Sequence, residues 1–478
     1  MATTAPNIAT VTGSPVGRVI ASIAAMATTS DAVVAPPSEA GPTSPIVRHR
    51  TGAWSWRSPH RGRRASVVSM ARTDAAPHGE AQQLPPLHMR RDGFSPIAAL
   101  GEIRESVGVR QVTNALGMQV YLITRHDDIK AVLADHERFS NQRPPGFPMP
   151  AGAQLSEQEL AAVRAGNLLG LDPPEHARLR RMLTPEFTIR RMKRLEPRIV
   201  EIVDAQLDAM ESAGAPIDLV ENFALPIPSL VICELLGVPS DDREDFQRRS
   251  ARQLDFSVPI PERMKLQQQG RAYMTTLVAR ARRQPGDDIL GMLVRQHGHE
   301  LTDDELIGVA GLLLLAGHET TSNMLGLGVL ALLRHPGQLA AVRDDPEAVG
   351  PAVEELLRWL SIVQTAIPRI TTTDVEVAGV PIPAGRLVFA SLPSGNRDAD
   401  FIEDPEILDV GRGAPGHLAF GHGIHHCLGA PLARMEMRIA FPALLRRFPH
   451  IALAEEFTDV QFRTWNFIYG LRSLEVSW

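Results

Sequence analysis

The stretch Phe420-Gly-His-Gly-Ile-His-His-Cys-Leu-Gly-Ala430 constrains this chain more than any other. It carries Cys427, one of two cysteines in the protein, directly ahead of a helical pattern running from Leu428 to about Arg447. Gly421 and Gly423 stand just before it, and glycine there permits left-handed turns and close backbone approach to a large flat ligand. A cysteine at a helix start faces unsatisfied N–H groups and the positive end of the dipole. That environment is expected to hold the thiol below its free pKa of about 8.5. Such a thiolate has three uses: nucleophile, zinc ligand, or axial ligand to haem iron. Zinc is disfavoured, because no second cysteine is near and His422, His425 and His426 are too crowded to complete a tetrahedral site.

The pattern Phe-Gly-x-Gly-x-His-x-Cys-x-Gly, read at Phe420, Gly421, Gly423, His425, Cys427 and Gly429, resembles the haem-binding loop of the cytochrome P450 family. The resemblance implies haem b with Cys427 as proximal ligand and His425 reaching a haem propionate. It implies that Phe420 packs near the sulfur, that Gly421 belongs to the cofactor-binding turn, and that Gly429 lets the next helix lie against the porphyrin. It extends from about Arg90 to Trp478.

Length alone would allow two or three domains in 478 residues, but the resemblance implies one large catalytic domain, residues 89–478. Its expected fold is mainly α with small β-sheets, the haem lying between a long oxygen-binding helix and the helix after the cysteine loop. Residues 1–88 differ in composition. Before Met70 the only acids are Asp31 and Glu39, and Arg48, Arg50, Arg57, Arg61, Arg63 and Arg64 cluster among Ala, Ser, Thr and Pro. This segment reads as a disordered or non-native extension, ahead of an organellar transit peptide. Its apolar patch from Val16 to Met26 is too short to span a bilayer. A net charge of −6 argues against general nucleic-acid binding. Two cysteines give no disulfide framework, which fits the cytoplasm, and Cys233 reads as a small core residue.

Along the body, Gln119-Val-Tyr-Leu-Ile-Thr reads as a strand, and Asp127 to about His136 as a helix capped by Asp127 and Asp128. The proline-rich run Gln142–Gly152 excludes regular structure and resembles the loop roofing the family's pocket, with Phe147 and Met149 as contacts. Further helices are expected over Met192–Ala213, Leu219–Leu236, Asp241–Leu254 and Glu262–Arg283, with Ser257-Val-Pro-Ile-Pro resembling a lid between two of them. His176 and Arg180, four apart on one helix face, match a propionate-binding pair of the family, and Arg369 in Ile-Pro-Arg-Ile matches a third such ligand.

The helical pattern Thr302–Arg334 places Ala316-Gly-His-Glu-Thr-Thr inside an apolar run. Two ionisable residues, His318 and Glu319, at its centre exclude a membrane span. Gly317 costs a helix interior about 1 kcal/mol, so it is expected to have a use. Thr320 can bond the carbonyl of Ala316, which would bend the helix. The Ala-Gly-x-Glu-Thr pattern is similar to the family's acid–alcohol pair: Glu319 would relay protons, Thr320 would hold a water, and Ala316 would line the distal haem face. Glu355, Arg358 and Arg412 match a structural charge triad that buttresses the cysteine loop.

Together these features imply a haem-thiolate monooxygenase acting with O2 on a small apolar organic substrate, such as a macrolide, terpenoid, steroid or xenobiotic. Electrons would come from a ferredoxin and its reductase, since no nucleotide-binding fingerprint is fused. No membrane partner is expected. The alternatives are a peroxide-driven haem hydroxylase and a non-catalytic haem sensor, both of which can dispense with Glu319-Thr320. Arg178, Arg181, Arg190, Arg191, Lys193 and Arg194 form the expected docking patch for an acidic ferredoxin.

Overall fold

The computed structural model describes residues 84–143, 156–239, 242 and 252–478. Phe147, Met149, most of the helix expected over Asp241–Leu254, and residues 1–83 of the extension lie outside the described residues.

The helices that build the site are α1 (His126–Ala134), α2 (Glu175–Leu183), α3 (Ile189–Ala213), α4 (Pro226–Leu235), α5 (Ile260–Arg283), α6 (Asp303–Arg334), α7 (Val349–Leu360) and α8 (Ala430–Arg447). A five-stranded mixed sheet packs beside them. Its strands are β1 (Val109–Thr113), β2 (Gln119–Ile123), β3 (Phe139–Ser140), β4 (Arg369–Thr371) and β5 (Leu387–Ala390), in the spatial order β1-β2-β5-β4-β3. Only the β2–β5 pair is parallel, with Val388 opposite Tyr121. The mainly α architecture with small sheets is therefore as expected.

Helix α6 is the axis of the molecule. Thr302 caps it through a reciprocal capping box with Glu305, and three acids in its first turn complement the dipole. Beyond that turn it is largely apolar, as a helix buried over most of its surface must be, with Ala316 left exposed. Small residues set its crossings. A Cβ at Gly317 would come within 2.9 Å of Ile232 on α4, and one at Gly328 within 2.5 Å of Phe441 on α8. The use of Gly317 is thus close packing against α4, and the helix runs unbroken through it. Among the described residues no single helix is long and apolar enough to cross a membrane.

Two expectations are modified locally. Asp127 and Asp128 lie within the first turn of α1 and do not cap it; the amide of His126 donates instead to Asp398 Oδ2 at 2.9 Å. The helix read over Leu219–Leu236 opens as a π-helical turn, Val220–Ala224, before α4. At the other end of the chain, ordered packing includes residues before Met89. The His88 ring meets the edge of Phe389 at 5.2 Å, and Arg90 Nε donates to the Pro85 carbonyl at 2.6 Å.

The segment leading to the cysteine loop is held by charge. Arg358 and Glu355, both on α7 and fully buried, form two hydrogen bonds of 2.7 Å. Arg358 also donates to the carbonyls of Asn396, Pro405 and Ile407. Arg412 approaches Glu355 at 3.9 Å, completing the triad read from the sequence. Removing one partner strands the other charge in the interior. Glu355→Ala is therefore expected to cost about 3–5 kcal/mol, measured as a lower denaturation midpoint. A loss below about 1 kcal/mol would mean that the pair does not carry this segment.

Candidate active site

The loop before α8 adopts the conformation its glycines permit. Gly421 and Gly423 both have positive φ, at 71° and 73°, where other residues are strained. Gly423 is pressed against the backbone of α1, where a Cβ would collide with the Leu133 carbonyl. Gly421 and Gly429 instead face open space, with nothing within 4 Å of where a Cβ would stand. Of the two cysteines, Cys233 is buried in α4 and Cys427 is partly exposed beside that space. The amide of Cys427 donates to the Phe420 carbonyl at 2.9 Å, closing the loop.

The expected lowering of the Cys427 pKa does not hold in the polypeptide alone. Burial pushes the thiol up, and the amides of Gly429 and Ala430 with the Arg180 and Arg434 charges offset this only in part. The sulfur lies ahead of α8, whose N-cap is Gly429, so it gains less from the helix end than the sequence implied. A cation bound at the sulfur would reverse the balance, because a coordinating thiol is deprotonated outright.

Four groups drawn from three separate regions converge next to this loop. His176 and Arg180 come from α2, Arg369 from β4, and His425 from the loop itself. The His176 and His425 rings lie 4.1 Å apart. Burial pushes His425 down to about 3, and the nearby Arg369, His176 and Arg180 charges add to it. Arg369, 2% exposed, donates to the Phe139 carbonyl and to Asn141 Oδ1. Burial lowers its pKa to about 10, with Asp172 partly offsetting. Arg180 Nη2 donates to the His426 carbonyl at 2.7 Å, so it also pins the cysteine loop.

Three buried nitrogens of this group, His176 Nε2, His425 Nε2 and Arg369 Nε, have no hydrogen-bond partner. Leaving each unpaired costs about 1–3 kcal/mol, and their common neighbourhood is one an anion would satisfy. Haem offers two carboxylates for such a cluster and a flat face for the space beside Gly421 and Gly429. The residues present fit the group.

Phe420 has a neighbour that sequence reasoning missed. The Arg434 guanidinium sits 4.5 Å over its ring and is held by two hydrogen bonds to Glu354, of 2.7 and 2.8 Å. His417 and Arg438 bind the same carboxylate. Burial acts against it, but these partners hold Glu354 down at about 2. The only signal was a second glutamate beside Glu355.

On α6 the residue burial changes abruptly. Ala316 is exposed and Thr320 half-exposed, although Leu314, His318 and Glu319 around them are buried. Thr320 Oγ1 donates to the Ala316 carbonyl at 2.8 Å, the bond the spacing implied. Glu319, 1% exposed, does not open to water: its Oε2 lies 3.2 Å from Arg463 Nη1 and its Oε1 3.5 Å from His318 Nε2. Burial pushes this carboxyl up, yet His318 and Arg463 together bring it below the ordinary range, so it is ionised.

Comparison with known proteins gives the family. Residues 262–468 match the family model described as Cytochrome P450. The chain is 50% identical over 393 residues to Cytochrome P450 FAS1 of Rhodococcoides fascians, covering 82% of this chain and 98% of that one. It is 40% identical over 386 residues to Vitamin D(3) 25-hydroxylase of Pseudonocardia autotrophica, covering 80% of this chain and 94% of that one. Among solved structures, P450 StaH from glycopeptide antibiotic A47934 biosynthesis superimposes with a TM-score of 0.74 at 44% identity, covering 82% of this chain and all of that one. CYP105P1 in complex with filipin I gives 0.77 at 38% identity, covering 83% of this chain and 99% of that one. A haem carried on a cysteine thiolate comes with that family, and by sequence, fold and site chemistry this chain belongs to the cytochrome P450 monooxygenases.

Proposed function

We propose that the protein inserts one oxygen atom of O2 into an apolar organic substrate, by hydroxylation or epoxidation, using electrons delivered by a ferredoxin. When bound, haem supplies the oxygen activation and the C–H or C=C oxidation, and the polypeptide supplies the ligand, the proton and the pocket. In this reading Cys427 would bind the haem iron and Phe420 would pack at its sulfur. His176, Arg180, Arg369 and His425 hold the propionates, while Gly421, Gly429 and Ala316 leave room for the ring. The hydroxylase name of one relative supports C–H oxidation. Leu312, Val363 and Phe467, partly buried against the core, would supply an apolar lining for the substrate. Free cysteines and the bacterial relatives support a cytoplasmic setting.

The observation that carries the reading is the Thr320–Ala316 hydrogen bond beside Glu319. The hydroxyl spends its proton on the carbonyl, so its lone pairs face the opening beside Ala316 and can accept from a water. That water is then oriented to pass a proton inward, and Glu319 resupplies it. A peroxide-driven hydroxylase or a sensor has no need of this pair. Thr320→Ala is expected to keep full haem content and to cut product formed per NADH by about 10²-fold, the low end for a positioned proton transfer. The lost electrons should appear as hydrogen peroxide. Parental coupling in the variant would overturn the relay. A compound library screened for the low-spin to high-spin optical shift identifies the substrate for that assay.

For the partner, the basic patch is smaller than its sequence. Arg178 is paired with Glu305, and Arg191 Nε lies 3.0 Å from Glu186. Arg181, Arg190, Lys193 and Arg194 remain exposed, and Ile189 among them is 72% exposed. They lie on and just after the helix whose Arg180 pins the cysteine loop, which supports docking on the thiolate side. Electron transfer from an acidic ferredoxin is expected to slow as salt passes about 0.15 M, where screening acts within about 8 Å. Charge reversal at Arg181 and Arg194 should flatten this dependence without changing substrate binding. Parental rates at low salt in the reversed protein would place the docking site elsewhere.

A further inference from the structure

The C-terminal hairpin touches the acid of α6. Phe462 pairs with Leu471, and Arg463 N donates to the Gly470 carbonyl at 2.8 Å. Its tip is held by three further contacts: Ile468 pairs with Val363, Asn466 with Asp255, and Phe467 N donates to the Leu254 carbonyl. Its returning strand is pressed on α6, where a Cβ at Gly470 would collide with Asn323 Oδ1. Asn323 in turn donates through Nδ2 to the Glu319 carbonyl at 2.7 Å. From this hairpin Arg463, its side chain 17% exposed, reaches the Glu319 carboxylate, itself 1% exposed.

We propose that Arg463 is a positioning residue for proton delivery: it tethers the Glu319 carboxylate, so that the C-terminal hairpin sets where that acid points. The inference rests on Glu319 and Thr320 forming the relay. Its physical basis is that a carboxylate so buried needs a partner charge to stay ionised, and the 3.2 Å contact from Arg463 Nη1 to Glu319 Oε2 supplies one. The charged and titratable groups facing Glu319 are His318 on its own helix and Arg463 from the hairpin. A tether of this kind keeps the acid in its proton-accepting form beside Thr320. Nothing in the sequence marks Arg463 for this role, since it lies 144 residues from Glu319.

The direct test is an infrared pH titration of the holoprotein, in which the Glu319 carboxyl is the protonated-carboxyl band lost in Glu319→Gln. In the parent this band should be absent at neutral pH and emerge only in acid. Arg463→Gln should bring it in at higher pH by more than about one unit, the size of shift an adjacent opposite charge produces. Arg463→Lys keeps the charge without the fork and should move it in the same direction by less. No movement in whichever variant retains its haem spectrum overturns the tether.

The catalytic arm measures peroxide released per NADH with the compound of largest spin shift. Arg463→Gln should raise it several-fold in the parent and add nothing in a Glu319→Gln background. An equal effect in both backgrounds overturns this inference alone, whereas normal coupling in Glu319→Gln overturns the relay with it.

Discussion

The site depends on a cysteine loop held in position by buried charge. Helix α7 contributes two adjacent glutamates that work in different directions. Glu355 locks Arg358, and Arg358 gathers three backbone carbonyls from the segment that precedes the loop. Glu354 locks Arg434 from α8 over the ring of Phe420. From the opposite side Arg180 ties the His426 carbonyl. Hydrogen bonds to charged groups contribute about 1.5–3 kcal/mol each, more than ordinary ones, and their directions are fixed. Apolar packing of Leu428 and Leu432 alone would leave the loop free to slide. A sulfur that must meet one metal atom cannot tolerate that.

The second constraint is the continuity of α6. One helix has to pack tightly on α4 and α8 and yet leave an opening along one face. Gly317 and Gly328 serve the first need, each at a crossing that admits no side chain. Ala316 and Thr320 serve the second: a methyl group and a small hydroxyl that turns back on its own helix. The hydrogen bond is an i to i−4 back-bond, which satisfies the hydroxyl without a partner from another element. Opening and proton relay thus arise from the same turn of helix.

Much of this was legible in sequence because it is local. The strand at Gln119, the helix after the cysteine loop, the Thr320–Ala316 bond and the Glu355–Arg358 pair all join residues within a few positions of one another. What was not legible depends on distant partners. Asp398 caps α1 in place of Asp127, Arg463 engages Glu319, and Asn141 braces Arg369. The direction of the Cys427 shift was misjudged for a related reason, because spacing shows a helix start but not the desolvation of the thiol that outweighs it. The basic patch was overestimated because sequence does not show that Glu305 and Glu186 consume two of its six cations.

The central claim is that Cys427 binds the haem iron as a thiolate, and its most direct measurement is the optical spectrum of the reduced, CO-bound protein. A thiolate trans to CO gives a strongly red-shifted Soret band that imidazole ligation does not. The parent is expected to show that band, and Cys427→His to move it to the position of imidazole-ligated haems at unchanged haem content. A spectrum left unchanged by Cys427→His would contradict the account.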